Sequence, residues 1–294
     1  MDHDVIIVGG SYAGMEAALQ LLRARRKVLV IDAGVRRNRF ASHAHGFLTQ
    51  DGVPPDVIAA KAAAQLAAYP TLSWIEGTAE TARAVEDGFE IAVADGRSFS
   101  SRRLVLAIGV SDALPDIPGL KERWGRSAFH CPYCHGFELD EGPIGVIGVG
   151  PLSMHQATML PDWGPTTFLT NGSFTPDPEQ MATLEKRGAR IEPADIAEIS
   201  GKADVHLKDG RVLNFAGLFV ASSIAPSSPL AEQLGCDFEE TPMGRHIATN
   251  PMKETNVPFV FACGDVARAA GSIAFAVGDG ALAGGGVHHS LMFR

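Results

Sequence analysis

The sequence predicts an α/β fold of two Rossmann-like units, the second inserted into the first. Three observations carry that expectation. A strand, a glycine turn, a helix and a second strand follow one another over residues 5–32. Another strand and glycine turn begin at Ile144. After Val257 the chain returns to a strand, a Gly-Asp turn and an apolar helix in the style of its opening. The expected limits are 1–112 plus 245–294 for the outer unit and 113–244 for the inserted one.

Val5-Ile6-Ile7-Val8 reads as a strand, and Gly9-Gly10-Ser11-Tyr12-Ala13-Gly14 as the turn that follows it. An Ala/Leu-rich helix runs to about Arg25, and Val28–Asp32 is the next strand. A loop rich in Arg, Asn and His spans Arg36 to Gln50. Pro54-Pro55 opens a helix over Asp56–Ala68, stopped near Pro70. Residues 72–110 read as short strands with turns at Asp87-Gly88 and Asp95-Gly96, the last being Leu104–Ile108 before Gly109. Pro115, Pro118 and Gly119 mark a crossing between units. In the inserted unit, Gly145–Gly150 is strand plus turn, Pro151 suits a first helical position and Pro161 stops the helix. A strand at Thr166–Leu169 follows, and Asp209-Gly210 joins two more, 204–208 and 211–215. The tail holds a strand from Val257 to Cys263 and a helix from Ser272 to His289.

Composition bounds the function. With 294 residues, 46% of them apolar, the chain can bury a sizeable core. Its formal charge of −9 argues against nucleic acid, which needs a basic surface. No apolar run reaches the ~20 residues that cross a bilayer. Asp2 and Asp4 stand before the first strand where a signal peptide would carry basic residues, so a cytoplasmic location is expected. Four cysteines are too few for a disulfide scaffold.

In Gly9-x-Ser11-x-x-Gly14 the first position needs free φ, the middle one a small side chain where backbone meets a pyrophosphate, and the last a glycine for close helix packing. Asp32 ends the next strand 23 residues after Gly9, where an acid takes ribose hydroxyls. Gly264-Asp265, a strand-to-helix turn near the end of the chain, can place a carboxylate on a ribityl chain. Together the two turns point to FAD rather than NAD alone.

Cys131-Pro132-Tyr133-Cys134 puts two thiols within reach of a small, readily exchanged disulfide, and His135 beside the second sulfur can move a proton. Half a zinc site is a competing reading, but it needs two more ligands, and Cys236, Cys263, His45, His155 and His206 are scattered. Two inert buried cysteines are another. No metal is expected.

This order of parts resembles the low-molecular-weight thioredoxin reductases, whose FAD domain is split around an inserted NADPH domain that carries a CxxC pair. The match runs through Gly9–Gly14, Leu104–Gly109, Ile117-Pro118-Gly119, Cys131–Gly136, Gly145–Gly150, Gly264-Asp265-Val266 and Gly278-Asp279-Gly280. The resemblance implies that Gly9, Ser11, Ala13 and Gly14 hold the FAD diphosphate and Asp32 the adenosine ribose. It places Arg37, Asn38 and Gln50 in the next FAD-contacting loop, Ala79 at the adenine and Gly109 on the diphosphate side. Gly264 and Asp265 belong to the ribityl turn. Ser272, Ile273 and Ala274 lie along the flavin, with Ser272 where the family usually has Gln. Cys134 is the sulfur next to the flavin and Cys131 the one that exchanges with substrate, while His135 stands where the family carries an Asp acid. A homodimer is implied as well.

Two departures matter. Reductases of this family hold the NADPH 2′-phosphate with an Arg-rich loop, yet no Arg or Lys occurs from Gly136 to Glu185, and Asn171 offers no acid to an NAD ribose. This absence, with His after the second Cys, resembles the dithiol-oxidising branch that includes the gliotoxin- and holomycin-forming oxidases. The expected activity is therefore FAD-dependent oxidation of a dithiol to a disulfide with oxygen as acceptor. The expected partner is a small dithiol or a thioredoxin-like protein. NADPH-driven reduction of a protein disulfide is the alternative, and a flavin redox sensor without turnover is a third reading. His43 and His45 lie in the loop expected at the flavin edge, as a second base or as ordinary satisfied histidines; His155 reads as structural, and His288-His289 as solvent-facing or partner-facing.

Overall fold

A computed structural model of the chain describes residues 2–294. Its first sheet is parallel through Leu72–Glu76, Val28–Asp32, His3–Val8 and Ser98–Leu106, in that order. The turns at Asp87-Gly88 and Asp95-Gly96 fold Gly88–Val93 and Ala79–Val85 onto its far side as antiparallel strands. Val260–Ala262, from the end of the chain, pairs in parallel with Ser98–Leu106. Alternation along a strand sends successive side chains to opposite faces. Val5 and Ile7 accordingly pack with Ala17, Leu21, Ala283 and Val287, whereas Ile6 and Val8 pack with Phe89, Ile91 and Val266. Both faces are covered, as a parallel sheet requires.

Helices Tyr12–Arg23 and Ile273–Phe293 lie against each other on one face. Their approach depends on glycine: a Cβ at Gly284 would sit 2.8 Å from the Ala17 carbonyl oxygen, and one at Gly280 would overlap the Ala13 carbonyl. The last helix therefore runs through Gly284-Gly285-Gly286 and continues past the expected end at His289.

The second sheet is parallel throughout, in the order Arg190–Glu192, Thr166–Leu169, Ile144–Ile147, Gly217–Val220 and Ala128–Phe129. Phe168 and Phe219, both wholly buried, anchor one face. Burying each contributes roughly 2–3 kcal/mol. A three-stranded antiparallel sheet, Ile196–Ser200 with Asp204–Leu207 and Val212–Asn214, covers the other face. The two α/β units are thus present. Helix Pro178–Arg187, closed by an Asp177/Gln180 capping box and a left-handed Gly188, was not expected.

A four-stranded sheet joins the units, ordered Phe238–Thr241, Gly244–Ile247, Ser223–Pro226 and Val110–Ala113. The expected cut points, 112/113 and 244/245, both fall inside it. Leu230, Ala231 and Cys236 pack in the apolar cluster of the first sheet beside Ile31 and Ala82. Among the described residues no helix is long and apolar enough to cross a membrane.

Candidate flavin and dithiol site

The first glycine turn is built by close approach. Gly9 adopts φ +103°, and a Cβ there would overlap the Ala107 carbonyl, just as one at Gly14 would overlap the Gly9 carbonyl. The Gly10 N–H donates to Asp32 Oδ1 at 3.0 Å, tying the turn to the acid that ends the next strand. Ser11 occupies the N-cap of the following helix, but its hydroxyl caps nothing. The first-turn N–H groups are therefore left for an anion, with the helix dipole behind them. A Cβ at Gly264 would lie 2.8 Å from that of Ala13, so the Gly264-Asp265 turn abuts the glycine turn although about 250 residues separate them.

Arg37 links this turn to the crossing between the units. Its guanidinium donates to Asp265 Oδ2 at 2.9 Å and, through two nitrogens, to both Asp112 oxygens at 2.8 and 2.6 Å. Ser222 Oγ adds a third donor to Asp112 at 2.7 Å. Burial by itself would raise the Asp112 pKa, but the Arg37 bonds outweigh it and hold the carboxyl below its ordinary value. Arg37 is likewise held above its ordinary value despite burial, by Asp112 and then Asp265.

Asn38 donates to the Tyr12 hydroxyl at 3.2 Å, while its buried Oδ1 and the buried Oε1 of Gln50 accept no hydrogen bond. Buried acceptors without donors are costly in a finished protein. These two, beside a glycine cradle and an uncapped helix, fit a polar flavin nucleotide. Gly109 has φ +67° and open space around it. Ser272 caps the last helix by accepting from the Phe275 N–H at 3.1 Å, and Ile273 and Ala274 begin that helix. Ala79 is buried in the apolar core, two residues beyond Gly77, whose N–H donates to the Asp32 carbonyl at 2.9 Å.

Cys131 and Cys134 form a disulfide with Cα atoms 5.3 Å apart, at the start of the one-turn helix Pro132–His135. Trp163 braces this turn: Tyr133 meets it edge-on at 5.4 Å between centroids, and a Cβ at Gly136 would lie 2.6 Å from its ring. His135 stacks on Phe129 with centroids 4.2 Å apart. Burial first, and the charge of His45 second, pull its pKa down to about 4. The ring is thus neutral at neutral pH and can accept a proton from a thiol. His130 is also pulled to about 4, by burial and then by Arg37, against the opposing pull of Asp112. Gln156 Nε2 donates to the His130 carbonyl at 2.8 Å and ties the pair to the second sheet.

Cys236 and Cys263 are buried and unpaired, and burial pushes the Cys263 thiol up to about 12, where it is inert. Among the described residues no group of three or more His, Cys, Asp and Glu is placed to hold a metal ion. Asp112 and Ser222 escaped sequence reasoning, because neither sits in a motif and each meets its partner only through the crossing strands.

The second glycine turn differs in shape: its positive φ, +141°, falls at Gly150 rather than at its first glycine. The Val149 N–H donates to Ser153 Oγ at 2.9 Å, and that hydroxyl donates in turn to the Ile147 carbonyl at 3.3 Å. The helix that follows, Ser153–Met159, has only seven residues. Asn171 is left-handed, with φ +49°, and its Oδ1 accepts from the Ile196 N–H at 2.8 Å. Nearby, Arg211 is committed to Glu192 and Asp209, and Lys208 to Asp195. Residues 136–185, which hold this turn, its helix and the next strand and loop, contain no Arg or Lys and so do not fit the 2′-phosphate of NADP(H), which needs a guanidinium or ammonium.

Comparison with known proteins agrees with the flavin half. Residues 3–280 match the model of the pyridine nucleotide-disulphide oxidoreductase family. The chain is 31% identical to thioredoxin reductase sirT of Leptosphaeria maculans, over 98% of this chain and 94% of the relative. It is 31% identical to thioredoxin reductase tcpT of Claviceps purpurea, over 96% and 92%. Among solved structures, an oxidoreductase from Agrobacterium tumefaciens superposes with a TM-score of 0.98 at 55% identity, covering 100% of both chains. HlmI superposes with a TM-score of 0.91 at 31% identity, covering 99% of this chain and 92% of its own. The chain therefore belongs to the pyridine nucleotide-disulphide oxidoreductase family, as a thioredoxin reductase-like, FAD-dependent disulfide oxidoreductase.

Proposed function

We propose that the chain works as a dithiol oxidase, closing a disulfide in a small dithiol through Cys131 and Cys134 with oxygen as final acceptor. The observation that carries this direction is that residues 136–185, which span the second glycine turn, its helix and the following strand and loop, contain no Arg or Lys for the NADPH 2′-phosphate. Electrons then enter from the thiol side.

His135 takes the proton of a substrate thiol. The thiolate attacks Cys131 Sγ, the Cys131–Cys134 bond breaks, and Cys134 departs as thiolate. The second substrate thiol attacks its partner sulfur, displaces Cys131 and leaves as a cyclic disulfide, so two electrons rest on the enzyme sulfurs. Bound FAD supplies a two-electron acceptor that oxygen can regenerate. Gly9, Ser11, Ala13 and Gly14 would hold its diphosphate, Asp32 its ribose, and Asp265, steadied by Arg37, its ribityl chain. Asn38, Gln50, Ala79, Gly109, Gly264 and Ser272 to Ala274 would complete the cradle.

A cytoplasmic homodimer belongs to the same reading. So does a division into a flavin unit, 1–112 plus 245–294, and an inserted unit, 113–244; the packing of Leu230 and Ala231 on the first sheet favours an earlier second boundary. The alternative is NADPH-driven reduction of a protein disulfide, and the relatives sirT and tcpT carry the name thioredoxin reductase. One experiment separates the two. Purified yellow protein given dithiothreitol should consume oxygen and form peroxide, while NADPH should bleach the flavin slowly or not at all. Fast bleaching by NADPH without dithiol-driven oxygen uptake would reverse the assignment.

A further inference from the structure

We propose that Asp112, at the crossing between the two units, is a positioning residue of the flavin site. It fixes the Arg37 guanidinium, and Arg37 in turn fixes the Asp265 carboxylate that would receive the ribityl chain. The inference rests on the placement of that chain at Asp265, not on the direction of catalysis.

Asp112 lies in Val110–Ala113, the strand that leaves the first unit, and pairs across to Ser223–Pro226, the strand that returns from the second sheet. Ser222, buried just before the returning strand, donates its hydroxyl to Asp112 Oδ1 at 2.7 Å. Arg37, from the loop after Val28–Asp32, donates to the same oxygen through Nη2 at 2.6 Å and to Oδ2 through Nε at 2.8 Å. Both carboxylate oxygens are thus used, and the Asp112 side chain is only 7% exposed. A two-point pair of guanidinium and carboxylate sets the plane of the guanidinium as well as its position.

That fork leaves Nη1 as the arm that meets the Gly264-Asp265 turn. It donates to Asp265 Oδ2 at 2.9 Å, and among the described residues nothing donates to Oδ1. A Cβ at Gly271 would lie 2.5 Å from Oδ1, so a glycine there leaves this oxygen its room. The carboxylate is held between Arg37 and Gly271 with one oxygen spent and one open. Asp265 begins a single 3-10 turn, Asp265–Ala267, and the Arg37 bond is what orients its side chain. A receiving group already held in its bound orientation loses less freedom when the ligand arrives. Asp112 acts wholly through Arg37, and each contact from Ser222 to Asp265 is a direct hydrogen bond.

The test compares FAD with ADP, which carries the adenosine diphosphate but no ribityl chain. Both dissociation constants are measured on the full-length protein, FAD by equilibrium dialysis of the holoenzyme and ADP by its displacement of FAD. In Asp112→Asn, FAD binding should weaken about tenfold, the order of one hydrogen bond to a charged group, while ADP binding stays parental. Arg37→Lys keeps the charge without the fork and should show the same split. Ser222→Ala removes one donor from Asp112 and should give a smaller loss of FAD affinity alone; being the milder change, it decides the matter if Asp112→Asn does not fold. Parental FAD affinity in these variants, or an equal loss of FAD and ADP affinity, the mark of general loosening, would overturn the positioning role. Asp265→Ala separates the role from its premise. Weakened FAD binding there, with parental binding in Asp112→Asn, would keep the ribityl placement and sink the positioning role, whereas parental FAD binding in Asp265→Ala would end both.

Discussion

Each α/β unit carries a glycine turn after a central strand, and the turns differ in what takes the N–H after their first glycine: Asp32 Oδ1 accepts from Gly10, and Ser153 Oγ accepts from Val149. Ser11 sits at the helix N-cap and leaves the first-turn N–H groups unclaimed. Ser153, from the helix of the second turn, reaches back to the Val149 N–H, a bond made within the turn rather than to the acid of the next strand. The same contrast holds for charge. Around the first turn, Arg37 is balanced by Asp112 and Asp265 at a point where the units cross. Around the second, residues 136–185 carry no Arg or Lys at all. A Gly-x-Gly pattern therefore specifies a chain reversal, and the side chains beside it decide whether a nucleotide can use it.

That contrast can be broken most sharply at the sulfurs. Cys134→Ser should lower dithiol oxidation on the order of 10³-fold or more, because no other sulfur can take its place. Steady-state oxygen uptake measures this, and parental turnover would refute the assignment. Next come the turns themselves. Gly14→Val forces a side chain into the Gly9 carbonyl and should give colourless, flavin-free protein. Gly150→Ala meets open space and should stay yellow, losing about 1 kcal/mol to its positive φ. Flavin absorbance per mole separates the two, and equal loss of colour would erase the difference between the turns.

Asp112→Asn removes the charge that Arg37 grips at the crossing and should cost about 3 kcal/mol in denaturant unfolding, since a buried guanidinium is left half-paired. A cost below about 1 kcal/mol, the value of a surface pair, would show that the clamp contributes little. The histidines of the pair add a pH signature. His130 and His135 have pKa values of about 4 in the folded protein against about 6.5 in the unfolded chain. The unfolded state then binds more protons between those values. Their contribution to stability is complete above pH 6.5 and is lost as pH falls toward 4. His135→Asn should flatten that slope, and an unchanged slope would place the titration elsewhere. Ser153→Ala is the smallest change. It frees the Val149 N–H, should cost about 1 kcal/mol, and should leave flavin content and turnover untouched.

Much of the molecule was legible in the linear chain because the information there is local. The apolar run Val5–Val8, the glycines at 9 and 14, the acid at 32 and the Cys131–Cys134 spacing each act over a few residues. Their order alone implied two βαβ units and a redox pair. The helix at Pro178–Arg187 was just as local, with Asp177 and Gln180 in capping-box positions, but its low apolar content hid it among loop residues.

What the linear chain left open was settled by groups that meet only after folding. Arg37 finds Asp112 and Asp265 across 75 and 228 positions, and His45 finds Glu138 across the boundary between the two sheets. Whether an N–H faces a ligand or a hydroxyl, and whether an imidazole is neutral or charged, depends on which atoms lie within a few ångströms of it. Residue order governs local backbone shape, whereas hydrogen-bond satisfaction and burial are properties of distance in three dimensions.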